Sequence, residues 1–189
     1  GLRSRLYDLQ KACWDANIPS IIVFEGWDAA GKGTSIKTLT QRLGPRGFKL
    51  YPIQEARTYE KHMPWLWRFW QKLPNYGQMA IFDRSWYGRV LVERVEELAT
   101  EKEWREAFQD IIDFERTLAD DGHVICKFFL HISKKEQRKR FNEVIRRARA
   151  KNSLRAMAKL TEVVDGHLRF RSDPPTLVPI EELTTPEEA

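Results

Sequence analysis

Val23-Phe24-Glu25-Gly26-Trp27-Asp28-Ala29-Ala30-Gly31-Lys32-Gly33-Thr34 is the stretch whose reading decides the fold. The β-branched run Ile21-Ile22-Val23-Phe24 ahead of it reads as a buried strand. Behind it, Ser35 to Leu43 places Ile36, Leu39 and Leu43 at helical spacing. Strand, Gly-x-x-x-x-Gly-Lys, helix is a phosphate-binding loop in the context that such a loop requires. Gly26, Gly31 and Gly33 let the backbone curl, so that N–H groups of Ala29, Ala30 and their neighbours turn toward phosphate oxygens. A helix N-terminus adds its dipole, and Lys32 adds a full positive charge. The strict pattern has Ser or Thr directly after the lysine; here Gly33 intervenes and Thr34 supplies the hydroxyl. An ordinary glycine-rich turn between strand and helix would give no reason for the lysine.

At 189 residues the chain suits one sizeable core. A net charge of +5 favours an anionic partner without separating nucleic acid from nucleotide or inorganic phosphate. No apolar run of about 18 residues indicates a membrane span, and the first residues lack the order of a secretion signal. Beginning at Gly1 rather than Met, the sequence reads as a trimmed piece. Cys13 and Cys126 lie far apart without metal-ligand spacing, and are expected to be buried reduced thiols of a cytoplasmic protein.

Outward from the loop, helices alternate with strands. Residues 3–17 predict an amphipathic helix with Leu6, Leu9 and Cys13 on one face. Phe48 to Ile53 predicts a second strand, and residues 59–73 a tryptophan-rich helix. Gln78 to Phe82 predicts a third strand ending in Asp83, and residues 85–119 a long helical region broken near 100. His123 to Ile132 predicts a fourth strand. This alternation implies an α/β protein with a parallel sheet covered on both faces. Ligands of such sheets gather at the carboxyl ends of the strands, where the phosphate loop and Asp83 both fall.

Ile81-Phe82-Asp83-Arg84-Ser85-Trp86-Tyr87-Gly88-Arg89 is the second constellation. An apolar strand ending in a carboxylate is what a phosphate-loop protein needs to hold Mg²⁺ near phosphates, although a helix N-cap is the plainer role. Arg84 and Arg89 frame the same turn as candidate clamps on phosphoryl oxygens, with ion pairs to Glu93 or Glu96 as the alternative. Asp28, a carboxylate among phosphate-cradling amides, is a second candidate metal holder or acceptor activator, or else a loop brace. His62 to Trp70 packs Trp65, Trp67, Phe69 and Trp70 together, mostly as core, with Arg68 set to face a phosphate or a base. Between Lys134 and Arg155 stand ten Lys or Arg and two acids, either a solvated helix face or a lid over a polyanion.

Three segments carry a resemblance: Gly26 to Gly33, Leu66 to Trp70, and Asp83-Arg84-Ser85-Trp86-Tyr87-Gly88-Arg89-Val90-Leu91-Val92-Glu93-Arg94-Val95-Glu96. They closely resemble the type-2 polyphosphate kinases, and Gly-Arg-Val-Leu-Val-Glu-Arg looks most like the polyphosphate:AMP phosphotransferase branch. The resemblance continues through Asp113-Phe114-Glu115 and Lys127 to Gln137, as far as Phe141. It implies a three-layer α/β/α P-loop kinase fold, thymidylate-kinase-like, with a helical basic lid. It further implies Mg²⁺-dependent transfer of a terminal phosphoryl group between inorganic polyphosphate and a nucleotide, AMP to ADP favoured. By resemblance Asp28, Lys32, Asp83 and Arg84 carry the catalysis, Arg68 and Glu93 contact the nucleotide, and Arg138 and Arg140 of the basic lid contact polyphosphate. Residues 1–141 thus read as a phosphotransferase core, and 142–189 as a lid-like segment with an atypical tail. In that tail Val163 to Phe170 suggests a hairpin turning at Asp165-Gly166, while Thr176-Leu177-Val178 resembles the family's last strand. No nucleic acid or membrane partner is expected, and a homo-oligomer is compatible. An ATP-dependent nucleoside or nucleoside-monophosphate kinase, or a non-catalytic polyanion-binding module, are the alternatives.

Overall fold

The computed structural model describes residues 2–150 and three strands beyond them, Thr161–Val164, His167–Phe170 and Thr176–Pro179. The chain divides into two compact bodies, one formed by residues up to Gly26 and Gly31–Leu130, the other by Trp27–Ala30 and the chain from His131 onward.

In the first body, β1 (Ser20–Gly26), β2 (Phe48–Pro52), β3 (Met79–Asp83) and β4 (Val124–Leu130) form a parallel sheet in the order β2-β3-β1-β4. Its helices are α1 (Leu2–Asp15), α2 (Lys32–Thr40), the single turns α3 (Trp67–Trp70) and α4 (Gly88–Leu91), and α5 (Glu101–Asp120). Side chains on a strand alternate between faces, and two apolar clusters follow that alternation. Ile21, Val23, Ala80 and Phe82 point to the face where Ala107, Ile111, Phe114 and Leu118 of α5 pack. Ile22, Phe24 and Ile81 point to the other, with Ile36 and Leu39 of α2 and Leu6 of α1. Helices therefore cover both faces, giving the α/β/α layering. Helix α5 is started by a reciprocal cap, Thr100 accepting from the Glu103 N–H while the Glu103 carboxylate accepts from the Thr100 N–H. Among the described residues no helix is long and apolar enough to cross a membrane.

Gly26 is the residue that the sheet cannot exchange. Its φ is +124°, and a Cβ there would stand 2.1 Å from the Leu130 carbonyl oxygen of the paired β4 backbone. Gly26→Ala is expected to cost about 2–4 kcal/mol of stability, combining backbone strain with overpacking against main chain that cannot move aside. Chemical denaturation measures it, and a loss below about 0.5 kcal/mol would show that β4 yields freely.

Several sequence expectations are corrected. Residues 59–73 do not form one helix: a 3₁₀ turn at Glu60–His62 ends at Met63, whose extended backbone (φ −114°, ψ 159°) precedes Pro64, and only Trp67–Trp70 is α-helical. Proline lacks an N–H and pushes the residue before it out of the helical region, which outweighs the aromatic periodicity. Of the four aromatics there, only Phe69 is fully buried, and Trp70 is largely exposed. The region 85–119 is helical only at Gly88–Leu91 and again from Glu101. On α1 Leu6 and Cys13 are half-buried as expected, but Leu9 is exposed and Gln10 is the buried residue. The Gln10 amide accepts from the Gly44 N–H (2.6 Å) and donates to the Gly44 carbonyl (3.2 Å), so a polar side chain is buried with its hydrogen bonds made. The cysteines are not buried: Cys13 is half-buried, and Cys126 is exposed on β4, whose side chains are mostly exposed among the described residues.

In the second body α6 (Lys134–Ala150) carries most of the basic run; residues 151–155 of that run lie outside the described residues. Ser133 caps it, its Oγ accepting from the Glu136 N–H at 3.2 Å. Strands β5 (Thr161–Val164) and β6 (His167–Phe170) pair antiparallel as the hairpin expectation required, with the turn residues 165–166 outside the described residues. Strand β7 (Thr176–Pro179) pairs antiparallel with β6, so Thr176–Val178 is not a strand of the parallel sheet.

Candidate active site

Within the first body, β1 ends at Gly26 and α2 begins at Lys32, with Gly31 as its left-handed N-cap (φ 105°). The Lys32 ammonium donates to the Gly26 carbonyl at 2.5 Å, which folds the side chain back along the end of β1. Thr34 lies in the first turn of α2, and the Ser35 N–H donates to the Gly31 carbonyl. A Cβ on Gly33 would meet no atom within 4 Å, so packing places no demand for glycine there.

Strand β3 brings Asp83 into register with Phe24 of β1. The chain then turns sharply: Arg84 has φ 65°, and its N–H donates to the Phe24 carbonyl at 3.0 Å. Ser85, almost fully buried, donates to Glu25 Oε1 at 2.7 Å and accepts from the Tyr87 N–H at 3.2 Å. Burial pushes the Glu25 carboxyl above the usual carboxylate range, against the Ser85 hydrogen bonds and the nearby charges of Lys32 and Arg84. Helix α4 takes Tyr87 as its N-cap, so Asp83 is not a helix cap. Trp86 is buried, its indole N–H donating to Glu115 at 3.0 Å, and Glu115 also receives Tyr87 (2.8 Å) and Lys127 (2.6 Å). This network anchors the turn to α5 and β4.

A cavity of about 730 Å³ opens beside the turn, lined among others by Trp65, Arg68, Arg84, Arg89 and Glu93. Arg89 pairs with Glu93 at 2.7 Å and Glu103 at 3.2 Å, with its guanidinium 5.6 Å from the Trp65 ring centroid. The expected alternative of an Arg89–Glu93 ion pair is thus present, on a residue that also lines the cavity. Arg68 donates to the Gln54 carbonyl at 2.8 Å and lies 3.5 Å from Glu60, a buried carboxylate that also faces Lys72 at 3.7 Å. The cavity therefore gathers Arg68, Arg84, Arg89 and Glu93, whereas Lys32 and Asp83 do not line it. The lining is mixed in charge, setting Arg68, Arg84 and Arg89 among Glu60, Glu93, Glu103, Glu106 and Asp110. Such a lining offers both cationic groups for an anion and carboxylates for hydrogen-bond donors.

The second body holds Asp28, Ala29 and Ala30 together with Arg138 and Arg140. The Asp28 carbonyl accepts from the Gln137 amide at 3.1 Å, and the Ala29 carbonyl from Arg140 Nη1 at 3.0 Å. Ala29 has φ 61° and packs against Phe141 and Ile145. Arg140 also pairs with Glu136 at 2.7 Å, so it braces the loop's main chain as well as adding charge. Gln137 was not singled out from the sequence; a lone amide in a basic helix carries no local signal, and its partner lies 109 residues away. Among the described residues no group of three or more His, Cys, Asp or Glu gathers for a metal.

A parallel α/β sheet whose first strand runs through a glycine-lysine loop into a helix, with a carboxylate and an arginine ending the adjoining strand, defines a P-loop kinase-like α/β protein. The chain belongs to the polyphosphate kinase 2 family, whose model matches residues 1–163. It is 48% identical over 123 residues to a polyphosphate:AMP phosphotransferase of Pseudomonas syringae pv. tomato, covering 65% of this chain and 25% of that protein. A polyphosphate:AMP phosphotransferase of Acinetobacter johnsonii is 50% identical over 121 residues, covering 64% and 25%. The crystal structure of polyphosphate kinase 2 from Arthrobacter aurescens TC1 superposes with a TM-score of 0.75 at 30% identity, covering 83% of this chain and 58% of that one. The chain thus spans about a quarter of the length of the curated relatives it matches.

Proposed function

We propose that this chain carries the phosphoryl-transfer centre of a polyphosphate:nucleotide phosphotransferase, with AMP as the favoured acceptor. The observation that carries the proposal is the Phe24–Asp83 pairing, which sets the Asp83–Arg84 turn beside the strand feeding the Gly26–Lys32 loop. Family membership and the names of the relatives support the substrate class. In the reaction a terminal phosphoanhydride bond of polyphosphate breaks and a phosphate oxygen of AMP takes the phosphoryl group, yielding ADP and a shortened chain. Phosphoryl transfer passes through a loose transition state, so the protein's work is positioning and neutralising charge. Lys32 and the α2 N-terminus hold phosphate oxygens, and Arg84 meets the charge that builds on the moving group. Arg68, Arg89 and Glu93 hold the nucleotide in the cavity they line. The donor set suits Mg²⁺, a hard cation that takes one or two carboxylates and completes its shell with water and substrate phosphates. Asp83 would hold it; Asp28, in the other body, is an alternative holder assigned from its place in the loop sequence. Mg²⁺ held there would supply neutralisation of phosphate charge. The two free cysteines support a cytoplasmic setting.

The deciding experiment incubates the chain with Mg²⁺, AMP and either polyphosphate or ATP, and resolves products by chromatography. ADP from polyphosphate supports the proposal. ADP from ATP alone would make the protein an ordinary nucleotide kinase, and polyphosphate binding without turnover would make it a binding module.

The basic helix yields a second expectation. Neutralising Arg138 and Arg140 together should raise the KM for long polyphosphate several-fold more than the KM for AMP, and flatten its salt dependence. Many unit charges act on the polymer at once, and screening beyond about 8–10 Å weakens them near physiological ionic strength. Equal rises in both constants would instead show that losing the Arg140–Ala29 bond loosens the loop as a whole.

A further inference from the structure

Glu25 is a buried acid that the mechanism above leaves unused. It is 7% exposed and stands one residue before Gly26, at the end of β1. A buried carboxylate with a hydroxyl as its close donor is a poor choice for stability, since apolar packing would serve the strand better. What Glu25 touches gives it another role. Its donor, Ser85, is 2% exposed and follows directly on Asp83 and Arg84. The turn is therefore pinned to β1 at two successive places, by the Arg84 N–H on the Phe24 carbonyl and by Ser85 Oγ on Glu25. Between those pins Arg84 sits at φ 65°. That left-handed conformation is unfavourable for a residue with a Cβ, and it persists only where its surroundings over-determine it.

We propose that Glu25 is a positioning residue for phosphoryl transfer: through Ser85 it locks the Asp83–Arg84 turn against the end of β1 and so aims the Arg84 guanidinium. The assignment rests on the phosphotransferase reading. Lys32 and Arg84, the cations of that reading, lie near enough to oppose the upward push of burial on Glu25 without overcoming it.

The test is steady-state transfer from polyphosphate to AMP, with folding followed by circular dichroism. Glu25→Ala should lower kcat by about 100-fold, the scale of a misplacement near 1 Å, with both KM values within about threefold of wild type. Glu25→Gln keeps an acceptor for Ser85 and should recover about tenfold of that loss. Ser85→Ala removes the bond from its other end and serves should Glu25→Ala fail to fold. Combined with Glu25→Gln, it should cost no more than the larger single change, because both act through one bond. Full multiplication of the two losses, or a rise in KM with kcat intact, would overturn the proposal. So would a folded Glu25→Ala variant of unchanged kcat beside an active wild type. A wild-type chain that forms no ADP from polyphosphate overturns the phosphotransferase reading, and with it the role given to Glu25.

Discussion

Lys32→Ala is expected to lower polyphosphate-dependent transfer by about a thousandfold while leaving the fold intact. The rate estimate follows from removing one preorganised charge aimed at a transferring phosphoryl group, which costs on the order of 10²–10³ or more in comparable sites. Stability should hardly change because Lys32 is the first residue of α2 and its ammonium bonds to the Gly26 carbonyl, outside both apolar clusters. Alanine is also a strong helix former. The unfolding free energy should stay within about 1 kcal/mol of wild type. The informative quantity is kcat/KM for polyphosphate, measured beside a thermal unfolding curve. Activity above about a tenth of wild type in a folded variant would remove Lys32 from the phosphate site.

Asp83→Asn is expected to raise the Mg²⁺ concentration for half-maximal activity by at least about tenfold, because a neutral amide is a far weaker ligand for a hard divalent cation. Nucleotide binding should move much less, since Asp83 does not line the cavity that holds Arg68, Arg89 and Glu93. The fold should also tolerate the change. Asn keeps the shape, and the strand-end contact that Asp83 makes with β2 uses its main-chain carbonyl, which accepts from the Ile53 N–H at 2.9 Å. A Mg²⁺ titration identical to wild type, at normal rate, would show that the carboxylate does not serve the metal. Since α4 is capped at Tyr87, a capping role is not available as a substitute explanation.

The departures of the fold from the sequence's periodicity have a common cause. Apolar and aromatic spacing registers which residues could share a face, but not which backbone the neighbours permit. At 59–73 the spacing was helical, yet the extended backbone before Pro64 interrupts it. On α1 the hydrophobic residue Leu9 is exposed and the polar Gln10 buried, because Gly44, 34 residues on, offers Gln10 both a donor and an acceptor. The exposure of Cys126 depends on how little packs over β4, which the apolar run of the strand does not register.

The sequence by itself determined the features whose physics is local. A β-branched run makes a strand, glycines permit the left-handed turn at Gly31, and apolar spacing after Lys32 makes the helix that this lysine begins. Alternating strands and helices imply a parallel sheet covered on both faces, and the two clusters bear this out. Only the tertiary structure decided which distant groups meet. The Phe24–Asp83 register, the Glu25–Ser85 bond across 60 residues, the Arg140–Ala29 bond across 111 and the cavity shared by Arg68 and Arg89 all belong to that class. The physical reason is range. Backbone preference and periodicity act over a few neighbouring residues, whereas a buried polar group is satisfied by whichever partner the packing of the sheet carries to within about 3 Å.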